Sequence, residues 1–220
     1  MTNPNISELL KSLEANYTNK EYQQAIDALL KSKKELDPGL FHYNLGTFYA
    51  KKGDLAIGRY HLEKSYKIGF INGASQNNIK AVVEKLGVQD ITTSSSRVER
   101  MIDSSLNFPS QAYFGLTCFF LILILLMVRF KKIGKSASIF MGIVAFLPTL
   151  YFFIFLNNLN HAVALSPVAV FEGPSKVFEK KLDLPAGAKI IFNKRNDDWI
   201  FIRYPLFLSG WVNKESMGIF

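Results

Sequence analysis

Five residues have the types and spacing for recognition chemistry: Tyr43, Asn44, Thr47 and Lys51, all within the stretch YNLGTFYAK, and Asn78, thirty-four positions after Asn44. An asparagine side chain offers both a donor and an acceptor, so it can match the backbone of an extended peptide, and a lysine ammonium can meet a carboxylate. The plainer alternative is that Asn44 only bonds a neighbouring loop and Lys51 is a solvated surface charge. Reaction chemistry has less to stand on. There is no nucleophile elbow, phosphate loop or metal-ligand spacing. His42, His61 and His161 are scattered, and the single cysteine, Cys118, lies inside an apolar run where it cannot form an internal disulfide. No catalytic residue, cofactor or metal is expected, and the chain is read as a binder and not an enzyme.

Charge narrows the class of partner. The 220 residues carry a net charge of +8, and Arg129, Lys131, Lys132 and Lys135 supply half of that excess within seven positions. The flanking segments are nearly balanced, with no basic face of the kind that nucleic-acid affinity requires. Nucleic acid is therefore not an expected partner.

The elements that must position the five residues come from a repeat. HYNLGTFYAKKGDLAIGRYHLEKSYKIGF, residues 42–70, resembles the tetratricopeptide pattern: Leu45, Gly46 and Tyr49 fall on its first helix, Gly53-Asp54 on its turn, and Gly58, Leu62 and Ser65 on its second helix. Gly46 and Gly58 are small where two helices must approach closely. Thirty-four residues on, Ile79, Val83 and Gly87 repeat Leu45, Tyr49 and Gly53. Earlier in the chain, Leu13 and Tyr17 match Leu45 and Tyr49, and Ala25, Leu29 and Ser32 match Gly58, Leu62 and Ser65. LDPG, residues 36–39, closes that first unit, with Pro38 ending the helix and Gly39 turning the chain. Two repeats and a third first-helix around 74–86 are expected within residues 5–90. Stacked first helices form a concave wall, with Tyr43, Thr47 and Lys51 facing into it and Asn44 and Asn78 at its edge. Residues 91–107, ITTSSSRVERMIDSSLN, read as a polar linker.

Two uncharged runs of 21 residues follow, Phe108–Val128 and Ser136–Leu156. Each is long enough to cross a bilayer core of ~30 Å as a helix. They are assigned as transmembrane helices 108–130 and 136–157, the second kinked by Pro148, around the basic loop 131–135. Four cations in a tight loop place loop 129–135 in the cytoplasm and both termini on the outer side. MTNPNISELL has neither a basic start nor an apolar core, so it is no signal peptide. Three explanations stay open: a start lies further upstream, the first span carries the tail across, or the termini are inside.

Residues 163–220 contain short β-rich runs, at 167–171, 188–193, 198–204 and 210–213, between turn signals. They suggest a small five-stranded barrel. GPS, LPAGAKI, a strand opening with Trp199, and GWV resemble a bacterial SH3-like domain, in which Trp211 would plug the barrel and Trp199 would be core.

The fold class is therefore a multidomain membrane protein: an all-α tetratricopeptide array, a two-helix transmembrane hairpin and a small all-β SH3-like barrel. That order, with YNLG and AVALSPVAVFEGPS after the second span, resembles the BatE family of tetratricopeptide proteins from the bacterial aerotolerance (Bat) operon. The resemblance implies a bacterial inner-membrane scaffold with periplasmic termini, working with von Willebrand A-domain Bat proteins and a MoxR-type ATPase. The competing reading is an envelope sensor or peptidoglycan-binding protein acting through the SH3-like domain.

Overall fold

The computed structural model describes residues 4–195 and 198–220. The chain is rich in helix and ends in an antiparallel sheet, and it divides into two compact units. One runs up to Arg100 and resumes from Asn160 to Phe220; the other is Met101–Leu159.

In the first unit, α1 (Pro4–Thr18), α2 (Tyr22–Lys31), α3 (Pro38–Lys52), α4 (Leu55–Lys67) and α5 (Gly73–Leu86) pack in sequence order. Their boundaries follow local chemistry. Gly53 (φ 106°) and Gly87 (φ 59°) end α3 and α5 in the left-handed region. Asn72 starts α5 with a reciprocal capping box to Ser75. LDPG behaves differently from the expectation that it closes the first unit. Asp37 accepts the Leu40 N–H as N-cap and Pro38 opens α3. A proline in the first helical turn has no N–H to lose there and has its φ preset. Leu13, Ala25, Ile26, Leu29, Leu36, Phe41, Leu45 and Phe48 form the core between α1, α2 and α3. The α3–α4 contact is closer still. A Cβ on Gly46 would lie 2.8 Å from the Leu62 backbone nitrogen, and one on Gly58 2.8 Å from that of Ala50. Buried Ser65 closes the packing by donating to the Gly39 carbonyl at 2.7 Å.

His42 and His61 also join α3 to α4, with their Nδ1 atoms 2.8 Å apart. The ring centres are 5.0 Å apart, so the rings meet edge to edge along the N···N line, one nitrogen donating and the other accepting. Burial, then repulsion from Lys64 and Lys33, lowers His42 from 6.5 to about 4. Burial, then His42, Lys64 and Lys33, lowers His61 to about 3. The unfolded chain takes up these protons near pH 6.5 and the folded chain does not, so stability is expected to fall as pH drops from ~6.5 to ~4. Thermal melts across that range should show the slope, and His61→Phe should flatten it.

Residues 91–107 are not a loose linker. Ile91–Thr93 forms a 3₁₀ turn and Arg97–Leu106 forms α6. Asp90 and Ile91 are fully buried, and Ser94 and Glu99 nearly so. The polar residues that resemble linker composition are spent on caps: Asp90 accepts the Thr92 N–H at 2.8 Å, and the Thr93 hydroxyl accepts the Asp90 N–H at 2.9 Å.

The C-terminal residues form β1 (Asn160–Ala164), β2 (Val168–Phe171), β3 (Lys180–Leu184), β4 (Lys189–Arg195), β5 (Trp199–Tyr204), β6 (Gly210–Asn213) and β7 (Met217–Ile219). Their order is β3-β2-β6-β5-β4-β1-β7, and every pairing is antiparallel. Among the described residues, seven strands stand where five were expected. β1 starts before residue 163, and β3, with its Lys-Lys start and Asp183, lacks an apolar signature. Ile200, Ile202, Val170, Val212, Ile190 and Leu184 fill the core. Trp211 does not plug it. Its neighbour Val212 points inward, while Trp211 is half-buried and packs edge-on against Phe201 at 5.4 Å. Trp199, also half-buried, meets Phe171 at 5.6 Å, so each tryptophan sits in an aromatic pair of its own instead of the core.

The second unit contains α7 (Ser110–Arg129), α8 (Lys135–Ala145), α9 (Leu147–Tyr151) and a π-helical turn (Phe152–Leu156). Ser110–Arg129 and the run Lys135–Leu156 are long and apolar enough to cross a membrane, with mean hydropathies of 2.3 and 2.4. The second run is interrupted at Phe146, two residues before Pro148, which has no N–H for the Val144 carbonyl. The Thr117 and Thr149 hydroxyls, 2.9 Å apart, join the two runs.

Candidate partner-binding cleft

Helix packing brings α3, α4 and α5 around a cleft of about 110 Å³. Its polar lining is Thr47, Lys51, Asn78 and Lys85, set among Ala50, Leu55, Leu62, Ala81 and Val82. Thr47 and Lys51 stand one helical turn apart on α3, and Asn78, Ala81, Val82 and Lys85 follow the same period on α5. Among the described residues, no acidic side chain lines the cleft. Lys51 and Lys85 are exposed, whereas Val82 and Leu62 are buried, so the cleft has an apolar floor and a cationic rim.

The polar groups are tied to one another. The Asn78 amide donates to the Tyr43 hydroxyl at 3.3 Å and to the Thr47 hydroxyl at 3.2 Å. Thr47 in turn donates to the Tyr43 carbonyl at 2.9 Å, and the Tyr43 ring packs on Phe70 at 5.2 Å. Lys51 is held over the Tyr17 ring at 5.2 Å, and its side-chain hydrogen bond to Tyr17 raises its pKa above the usual lysine value. The ammonium therefore stays charged at neutral pH.

Thr47, Lys51 and Asn78 meet at the cleft, and Tyr43 joins them through its hydroxyl. Asn44 does not. Its amide donates to the Leu40 carbonyl at 3.1 Å, one turn back on its own helix, and it does not line the cleft. Lys85 completes the rim and was missed, yet it lies thirty-four positions after Lys51, the same offset that pairs Asn44 with Asn78.

A second polar cluster sits behind the cleft helices, inside the first unit. Arg59 and Asp90 are fully buried, and Lys189 and Glu63 are 1% and 5% exposed. One Arg59 nitrogen is 2.5 Å from Asp90 and donates to the Gly187 carbonyl at 2.8 Å, while another lies 3.7 Å from Glu63. The Lys189 ammonium donates to Glu63 at 3.0 Å, and its backbone N–H donates to Asp90 at 2.9 Å. Two cations and two anions are thus balanced out of water. They tie α4 and the turn after α5 to β4. Helical spacing gives no sign of this, since a charge on a helix usually faces solvent. Among the described residues, no group of three or more histidine, cysteine, aspartate or glutamate side chains could hold a metal.

Comparison with protein-family models, with curated proteins and with solved structures found no match for this chain.

Proposed function

We propose that the chain is a membrane-tethered scaffold or adaptor that captures a protein segment bearing a carboxylate in the cleft between α3, α4 and α5. The observation that carries this reading is the pair of exposed ammonium groups, Lys51 and Lys85, on the rim of an apolar cleft with no acidic lining. In this reading the helix pairs are tetratricopeptide repeats and the C-terminal sheet is an SH3-like module. The two apolar runs cross a bacterial inner membrane, with loop 129–135 in the cytoplasm and both modules in the periplasm. Support for a common side comes from the ionic cluster, which joins residues before the runs to residues after them. The aerotolerance assignment and the partners it brings, von Willebrand A-domain Bat proteins and a MoxR-type ATPase, follow from the resemblance to BatE.

The test uses the full chain in nanodiscs and a fluorescent glutamate-rich peptide, with a glutamine-rich peptide as control. The double substitution Lys51→Glu, Lys85→Glu is expected to weaken the acidic peptide by tenfold or more, ~1.4 kcal/mol. Thermal stability should change little, because both lysines are exposed and Lys51 gives up only its contact with Tyr17. Equal binding of both peptides by the native chain would remove the basis of the reading.

The half-buried aromatic pairs Phe171–Trp199 and Phe201–Trp211 favour a second reading, in which the sheet stacks on cell-wall material. Retention on isolated peptidoglycan that Trp211→Ala abolishes would support it.

A further inference from the structure

We propose that the exposed face of α6 lies on an anionic phospholipid surface. The proposal rests on the reading that Ser110–Arg129 crosses a bilayer. α6 is sharply two-sided. Arg97, Val98, Arg100 and Met101 are exposed, while Glu99 and Ile102 are buried. Val98 and Met101 keep 65% and 68% of their surface open, and Phe108, between α6 and α7, keeps 60%. Such exposure is unusual for apolar side chains gathered this closely beside a polar helix.

The same two-sidedness separates the charges by sign. Glu99 turns inward, where it accepts the Ser94 hydroxyl and the Leu206 N–H, the latter at 2.8 Å. Arg97 and Arg100 stay outside, Arg100 also donating to the Ser94 carbonyl. The exposed positions of the first two turns, 97, 98, 100 and 101, therefore offer guanidinium groups and apolar side chains, and the remaining carboxylate there, Asp103, is half-buried. That composition suits a helix lying in the headgroup layer of an anionic bilayer, where the apolar groups enter the acyl boundary and the cations meet phosphates.

Chain continuity says what the face meets. Only residues 107–109 separate α6 from α7. Three residues reach ~10 Å at most, comparable to the thickness of one headgroup layer. The Tyr113 hydroxyl donates to the Ser105 carbonyl at 2.7 Å and fastens the end of α6 to the first turn of α7. A helix so tied to the start of a span, with cations and apolar side chains outward, has lipid as its nearest partner.

The test is depth measurement on the full chain in a Cys118→Ser background, with spin labels at Met101→Cys, Lys80→Cys or Ile122→Cys. Vesicles are phosphatidylcholine with or without phosphatidylglycerol, and the readout is accessibility to oxygen against a water-soluble nickel chelate. The label at 122 should be deep, the label at 80 aqueous, and the label at 101 interfacial, with nickel access several-fold below that at 80. Arg97→Glu, or independently Val98→Glu, should return label 101 toward the value at 80, and omission of phosphatidylglycerol should do so partly. A deep label 122 with label 101 as aqueous as label 80 overturns the α6 proposal alone. A label 101 shielded from both reagents also overturns it, in favour of a protein contact. An aqueous label 122 overturns the spanning reading and this proposal with it.

Discussion

Replacing Arg59 by methionine is expected to lower the unfolding free energy of the first unit by ~3–5 kcal/mol, because it leaves a buried carboxylate without its partner. Arg59 has no exposed surface, and neither does Asp90. When the guanidinium is removed, Asp90 keeps the Lys189 and Thr92 N–H groups but loses the neutralising charge, and the Gly187 carbonyl loses its donor. The measurement is the denaturant midpoint of the full chain in nanodiscs. Lys52→Met also breaks an ion pair, 2.9 Å to Asp54, but both partners are about 40% exposed and screened by water, so the midpoint should barely move. The contrast isolates burial from ion pairing. Adding Asp90→Leu to Arg59→Met should restore part of the loss, since it removes the stranded charge. An Arg59→Met midpoint equal to that of the native chain would mean that water reaches the cluster.

Gly46→Leu is expected to abolish peptide capture while leaving membrane insertion intact. A Cβ at Gly46 would come within 2.8 Å of both the Leu62 backbone nitrogen and its Cγ, and 2.9 Å of the Gly58 carbonyl. Backbone atoms of α4 cannot rotate away as a side-chain tip can. Even alanine would force the two helices apart, and overpacking of this kind costs about 1–3 kcal/mol or more. Leucine adds further atoms to the same gap. Leu62 lines the cleft directly and Ala50, which faces Gly58, lines it too, so separating α3 from α4 deforms the site. The apolar runs belong to the other unit and should be unaffected. Gly53→Ala is the matched control. Gly53 has positive φ (106°) but nothing within 4 Å of an added Cβ, so it should show only backbone strain of ~1–2 kcal/mol. Anisotropy with the acidic peptide, alongside carbonate extraction of membranes, separates the outcomes. Unimpaired capture by Gly46→Leu would detach the cleft from the function proposed for it.

Periodicity and spacing determined much of this molecule by themselves. Apolar residues and glycines recurring about every 34 residues placed α3, α4 and α5, and with them Thr47, Lys51 and Asn78. Two uncharged runs determined which helices could cross a membrane, because length and hydropathy are local properties. Short β-rich runs between turn signals found β2, β4, β5 and β6, but they put Trp199 and Trp211 in the core, where the structure has their neighbours Ile200 and Val212. Tertiary structure decided what depends on a distant partner. Asn44 left the site because its nearest acceptor was its own helix, and the polar segment after α5 became ordered because its carboxylates found buried donors. Arg59, Glu63, Asp90 and Lys189 look like four ordinary solvated charges in one dimension. Only folding brings residues 99 and 126 positions apart to within 3.0 Å, and only exclusion of water turns them from surface charges into the contact that joins helices to sheet.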